Sequence, residues 1–335
     1  MNKLFTISIQ DSFGFRSLKA KVLNWVRPFN TFCFLDNHEY QLAPHSQECL
    51  LGAGVVRDIS GDQATLLSGL NNTTGWWMGH LSYDLLPAEP QGSLHKPDPH
   101  GFPQLYFFQP EILIRLKEDE ISIEAPDPEK VYHAILNTAL PAATEGTDLK
   151  IQSRMSREEY LDTIRKLQAH ILRGDCYEIN FCQEFYAANA HIDPVEVYTR
   201  LSEISPNPFS GLYRNGDRWL ICASPERFIK KQGTHILSQP IKGTARRVRE
   251  DAEVDEAQRA QLQQSEKDRA ENVMIVDLVR NDLARICQEG TVKVDELFGV
   301  YPFPQVHQMI STISGELSPR FSLVIFWKRC FQWAP

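Results

Sequence analysis

Hydrophobic positions along this chain follow two different periods. From residue 1 to about 125, short apolar segments (TFCFLDNHEYQL, TTGWWMGHLSYDLL, QLYFFQPEILIRL and EISIEAP) are cut by turn residues, which predicts a region dominated by strands. Trp76, Trp77, Phe107 and Phe108 fall in these segments and are expected to be core. Residues 126–155 hold a short helical stretch and then a small, polar, Pro/Gly-bearing run. That run reads as a linker or surface loop and puts a boundary near residue 150, dividing 1–150 from 151–324.

Beyond the boundary the period lengthens. Ser156 followed by Glu159 is a capping box, opening a helix that places Tyr160, Ile164, Leu167 and Ile171 on one face and stops at Gly174. Tyr177, Ile179 and Phe181 then alternate with Glu178, Asn180 and Cys182, which predicts a strand. WLICASPERFIKK and THILSQPIKGTARR read as further strands whose ends carry polar groups beside proline and glycine. From Glu253 to about Ile286 the spacing is helical, in two pieces, with Ile275, Val279, Leu283 and Ile286 as a buried stripe and Gly290 after it. His307 precedes an alternating, hydroxyl-rich strand ending at Gly315. Strands in runs and helices in runs predict an α+β fold with large antiparallel sheets packed against helices.

Composition narrows the function. With 335 residues and 42% hydrophobic positions the chain can bury a substantial core, and disorder is excluded. Lysine plus arginine number 35 against 43 acidic residues, and no basic block offsets the net charge of -8, which disfavours nucleic acid as a partner. The seven cysteines form no CxxC pair and no zinc spacing, so most are expected as buried thiols. The first residues lack the pattern of a signal peptide, and no apolar run suits a membrane span. A cytoplasmic setting with no membrane partner is expected, leaving the sequons at Asn71 and Asn72 unused.

Several groups could do chemistry. Lys242, between Ile241 and Gly243 at a strand end, could be a nucleophile if desolvation or a nearby cation such as Arg246 or Arg247 strips the proton that an ordinary lysine, of pKa about 10.4, keeps at neutral pH. The plain alternative is an exposed lysine in a turn. Glu226 in ASPERF could be a general acid or base, or simply a surface partner of Arg227. Asp268 and Glu271 share a helical face and could hold a hard cation such as magnesium, or form salt bridges with Lys267, Arg269 and Arg280. His307 could move a proton or bind an anion, or sit buried and satisfied. No Walker A, GxGxxG or GxSxG motif is present.

Taken together, RGDCYEINFCQEF (173–185), SPERF (224–228), QPIKGT (239–244), EKDRAENVMIVDLVRNDLARI (266–286) and VHQMISTISGEL (306–317) resemble the chorismate-utilising enzymes, and among them the aminodeoxychorismate synthases, component I. The resemblance covers about residues 155–319 in the family's order. It implies that Lys242 is the covalent nucleophile and Glu226 the acid and base. It also implies that Glu271, assisted by Asp268, holds Mg2+, and that His307, Thr244 and Gly315 line the substrate site. Chorismate and ammonia are the implied substrates, and a glutamine amidotransferase, component II, is the implied partner and ammonia source. The implied product is 4-amino-4-deoxychorismate, for 4-aminobenzoate and folate synthesis. Anthranilate synthases resemble PIAGT where this chain has PIKGT, with anthranilate synthase component I kept as the alternative activity; water-adding relatives carry a lysine where this chain has Glu178, so addition of water at C2 is disfavoured.

Two departures accompany the resemblance. Related chains carry an LLES-like motif tied to a tryptophan pocket, where this chain reads APHSQE. After SPRFSLV the resemblance stops, and residues 325–335 read as an aberrant tail. The codons of Gln332–Pro335, read in another frame, can encode the Met-Gly-Ser that the family carries, so a frameshift near Val324 is expected. On that expectation the chain as written has little activity, or survives only as a binder of the amidotransferase.

Overall fold

The computed structural model describes residues 2–9, 12–40, 49–61, 69, 74–82, 98–140 and 149–320. The APHSQE stretch, the sequons at Asn71 and Asn72, Cys330 and the tail from 325 lie outside the described residues.

The main sheet has seven antiparallel strands in the order β1 (Lys3–Ser8), β8 (Glu120–Ala125), β7 (Ile112–Lys117), β3 (Cys49–Ala53), β2 (Thr31–Asp36), β11 (Phe209–Asn215) and β12 (Arg218–Ser224). One face alternates Phe32, Phe34, Leu51, Ile114, Ile121 and Ile123 into a core where each is nearly or wholly buried. Helix α1 (Ser12–Trp25), in a stretch expected to be mostly strand, covers this face because Phe15, Leu18 and Val22 recur at helical spacing, with Val26 just beyond its end. Helices α2 (Pro128–Leu136) and α4 (Pro194–Ile204) complete the cover through Ile135, Val195 and Tyr198.

Strands β11 and β12 come from far beyond residue 150, and β11 pairs with β2 from Ser210↔Asp36 to Asn215↔Thr31. The boundary expected near 150 therefore crosses a sheet. The chain instead forms two compact units, one of residues up to Leu140 and from Pro194 on, the other spanning 149–193 among the described residues. In the second unit α3 (Arg157–Arg173) is capped as expected: Ser156 Oγ accepts from the Glu159 N–H, Glu159 returns a bond to the Ser156 N–H, and Gly174 takes the left-handed conformation at φ 82.

The strand expected over 177–182 is absent. Strand pairing begins only at β10 (Phe185–Tyr186), three residues beyond Cys182, with β9 (Gln152–Ser153), and Tyr177 is 89% exposed. Alternation alone makes no strand without a neighbour to complete its hydrogen bonds. Of the four aromatic residues expected in the core, Phe108 is fully buried and Phe107 partly so. Trp76 is 40% exposed under the Arg115 guanidinium, and Trp77 lies beneath that of Arg57. Phe107 and Phe108 belong to a small sheet in which β6 (Leu105–Gln109) lies between β4 (Arg57–Ser60) and β5 (Met78–Leu81).

A five-stranded antiparallel sheet carries the polar motifs. Its order is β13 (Arg227–Gln232), β14 (His235–Gln239), β17 (Val306–Glu316) and β15 (Ile241–Arg246), with β16 (Lys293–Pro302) also paired to β17. Helices α5 (Ala252–Gln264) and α6 (Glu266–Ala284) pack on it, split at Ser265, which caps α6. Of the expected stripe, Leu283 and Ile286, with Val279 partly buried, meet Ile236, Ile313 and Leu317, and Ile275 is buried outside that cluster. No disulfide joins the six described cysteines, of which Cys33, Cys49 and Cys287 are buried. Among the described residues no helix is long and apolar enough to cross a membrane.

Candidate active site

Strand β15 begins one residue after β14 ends, the two joined by Pro240, and it does not run evenly. Ile241 pairs with Ile310 and Thr244 with Gln308, so three steps on β15 match two on β17. The extra residue is a bulge over Lys242 and Gly243, a device that re-aims side chains at the edge of a sheet. Gly243 adopts φ +98, and a Cβ there would stand 3.0 Å from Asp268 Cβ and 3.2 Å from Leu262 Cδ1. Only glycine lets the bulge lie this close to both helices in that conformation.

Glu226 lies between β12 and β13, and its Oε1 accepts from the Ile241 N–H at 3.2 Å, fastening it to the residue before Lys242. Desolvation by the surrounding protein raises its pKa, and the Ile241 hydrogen bond and the Lys242 charge oppose the rise. A carboxyl group shifted upward and held beside a lysine side chain is suited to give up and take back a proton. Lys242 itself is half-buried.

A polar cleft of about 560 Å3 opens beside the bulge, lined by Thr244, Ala245, Arg246, Gln261, Ser265 and Asp268 among others. Asp268 accepts from the Ser265 hydroxyl at 2.5 Å, and its own N–H is capped by the same oxygen. Glu271, one turn further along α6, is half-exposed and 3.7 Å from Lys267 Nζ. No group of three His, Cys, Asp or Glu residues converges as a metal cluster among the described residues. Asp268 and Glu271 are two oxygen donors one turn apart, neither locked in a buried ion pair, a set that fits a cation keeping several waters.

His307 lies within β17 rather than before it, opposite Ala245, and is 2% exposed. Its Nε2 is 3.0 Å from Asp255 Oδ1, while Nδ1 is buried with no hydrogen-bond partner among the described residues. Arg247, expected as a cation acting on Lys242, is committed elsewhere: it grips Asp255 through Nε and Nη2 at 3.0 and 2.8 Å.

The structure thus brings Glu226, Lys242, Thr244 and Asp268 around one bulge, with Glu271 a turn beyond Asp268, while His307, paired with Ala245, faces the other side of the sheet from Thr244. Gly315 is not part of this group. It pairs with Ile236, five residues and roughly 17 Å along β17 from Ile310 at a strand rise of about 3.4 Å per residue, and is packed under Cys287. Asp255 was not legible in the sequence: an acidic residue in the first turn of a helix reads as dipole compensation, and only the tertiary fold carries it to His307.

The sequence profile described as chorismate binding enzyme matches residues 36–334. Aminodeoxychorismate synthase component 1 of Klebsiella aerogenes is 37% identical over 251 residues, covering 72% of this chain and 54% of that protein. The protein of the same name in Salmonella typhimurium is 46% identical over 166 residues, covering 50% of this chain and 36% of that protein. The chain thus spans about half or less of the length of these relatives. Among solved structures, anthranilate synthase component I from Streptococcus pneumoniae superimposes with a TM-score of 0.69 at 21% identity, covering 87% of this chain and 74% of that one. The menaquinone-specific isochorismate synthase of Escherichia coli gives 0.64 at 13% identity, covering 97% and 73%. At these identities the likeness is one of fold.

Proposed function

This chain belongs to the chorismate binding enzyme family, and we propose that it has the activity of aminodeoxychorismate synthase component I, making 4-amino-4-deoxychorismate from chorismate and ammonia. The observation that carries this reading is the Glu226 carboxyl, raised in pKa and bonded to the Ile241 N–H, beside the Lys242 bulge.

In the proposed reaction the Lys242 amine attacks C2 of chorismate, both ring double bonds shift, C1=C2 to C1=C6 and C5=C6 to C4=C5, and the C4 hydroxyl leaves with a proton from Glu226 as water. Hydroxide is a poor leaving group, so an acid is needed at this step. Ammonia then attacks C4, both double bonds shift back, the C2–N bond to Lys242 breaks, and Glu226 takes up the proton lost by the incoming nitrogen. Thr244, at the cleft, would help to seat the substrate. Glu271 with Asp268 would hold Mg2+, which when bound neutralises a substrate carboxylate. A glutamine amidotransferase as the ammonia source, a cytoplasmic setting and a place in 4-aminobenzoate and folate synthesis belong to the same proposal.

A second reading is an anthranilate synthase, favoured by the relative so named in Thermus thermophilus, 30% identical over 73% of this chain. Incubation with chorismate and ammonium, with products separated and weighed by mass spectrometry, decides between them. Formation of 4-amino-4-deoxychorismate that Lys242→Ala reduces by about 1,000-fold or more is expected for a covalent nucleophile. Anthranilate as product, or an unchanged rate in Lys242→Ala, overturns the assignment.

A further inference from the structure

Arg246 ends strand β15 and Arg247 follows it, and the two side chains meet opposite fates. Arg247 is spent on structure: Nε and Nη2 hold Asp255 at 3.0 and 2.8 Å, and Nη1 donates to the Phe303 carbonyl at 3.2 Å. Arg246 is exposed and makes no hydrogen bond or ion pair among the described residues. Two acids that follow it are engaged elsewhere. Asp251 Oδ1 accepts the Glu253 and Val254 N–H groups at the start of α5, and Asp255 accepts from Arg247 and the Val248 N–H.

The register places Arg246 at the cleft. Thr244 pairs with Gln308 and Arg246 with Val306, so their side chains share one face of the sheet, about 7 Å apart at a rise of about 3.4 Å per residue. Both line the polar cleft, together with Gln258, Gln261 and Gln264 of α5. Among the described residues that line it, Arg246 is the only cation, and the one carboxylate is Asp268, beside Gly243.

Chorismate is a dianion, with one carboxylate on the ring at C1 and the other on the enolpyruvyl ether at C3, next to the carbon that Lys242 would attack. The cation proposed at Asp268 and Glu271 would offset one of them. The other needs its own counter-charge in a chain whose net charge is -8. A guanidinium can give a carboxylate two parallel N–H bonds, and Arg246 would do so without leaving a partner among the described residues.

We propose that Arg246 is a substrate-recognition residue that grips the enolpyruvyl carboxylate of chorismate and so selects the dianion. It then acts on the substrate rather than on the proton of Lys242, the role its place in the sequence suggested. The proposal rests on the reading that chorismate binds at the β15 bulge.

Calorimetric titration of chorismate, and of its monoester at the enolpyruvyl carboxylate, into wild type and Arg246→Gln in the presence of Mg2+ tests it. Wild type is expected to bind chorismate about 10-fold or more tighter than the monoester, and Arg246→Gln to bind the two within about 2-fold of each other. In turnover, KM for chorismate should rise about 10-fold in Arg246→Gln while kcat stays within about 2-fold. A full preference for chorismate in Arg246→Gln, or equal affinity of wild type for both ligands, overturns the proposal. If the preference depends on Arg246 but the product is anthranilate, the recognition stands and the activity assignment alone fails. If the 4-amino product forms with an unchanged KM in Arg246→Gln, the activity stands and the recognition falls. Wild type that binds neither ligand overturns both.

Discussion

The seven-stranded and five-stranded sheets belong to one compact unit but are built on different terms. Between the former and its helices the core is mostly Phe, Leu, Ile and Val side chains, with Asp36, Ser122 and Ser210 as buried polar residues of its strands. The latter buries Arg227, Asn272, Asp282, His307, Ser311 and Ser314 at or beside its strands and helices. Apolar burial supplies stability without direction, whereas a buried polar group costs free energy unless its partners are in place. The first sheet can therefore tolerate exchange among apolar residues of like volume, and the second cannot, because its buried groups specify one arrangement around the β15 bulge.

That contrast can be broken at four points. Phe34, 1% exposed and edge-on to Tyr198 at 5.8 Å, should cost about 3 to 5 kcal/mol as Phe34→Ala in urea unfolding. A loss below about 1 kcal/mol would show that the apolar sheet is not the main source of stability. Ser311 donates to Asn272 Oδ1 at 2.6 Å and accepts from the N–H of Phe298, a non-glycine residue held at φ 61. Ser311→Ala strands both partners and should cost about 1 to 3 kcal/mol, far more than its lost volume explains. Equal stability of variant and wild type would remove the claim that these buried bonds are specific.

Asp282 gives a pH signature to the second sheet. Burial pushes its carboxyl from 3.8 up to about 6, against the pull of Arg285. A carboxyl raised in the folded state favours folding fully below the unfolded value, and this contribution is lost as pH rises through the folded one. Unfolding free energy should thus decline between about pH 4 and 6 by about 1 to 2 kcal/mol after solvent screening, and Asp282→Asn should flatten that decline. Denaturant titrations across this window check it, and an equal slope in the variant would count against it. The smallest effect is expected at Gly243→Ala. The positive φ should cost about 1 kcal/mol or slightly more, while turnover falls further than stability because the bulge shapes the cleft. Intact turnover with lowered stability would detach the bulge from the site.

Legibility in the sequence followed the reach of each interaction. The α3 caps at Ser156, Glu159 and Gly174, and the break between α5 and α6, depend on residues within a turn of one another and could be read directly. The stretch 177–182 alternates as a strand would, yet among the described residues no strand pairs with it. In the site, Glu226, Lys242 and Asp268 were legible from the motifs around them, and the fold brings them to one place. The Arg247, Asp255 and His307 network was not, because its bonds span up to 52 residues and each member alone has an ordinary explanation that needs neither of the others. Gly315 was expected at the substrate and instead serves close packing against Cys287, two uses of glycine that sequence does not separate.

The bulge in β15 also makes parity a property of this strand. Ile241 and Ala245 are four residues apart, an even number that would put them on one face of a regular strand, yet they pair with Ile310 and His307, which are an odd number apart. The inserted residue reverses which side every later position presents. No point substitution can imitate that reversal or undo it. Removing one residue between Ile241 and Thr244 would turn Thr244, Ala245 and Arg246 over together, so the count of residues in this stretch is inherited information distinct from their identities.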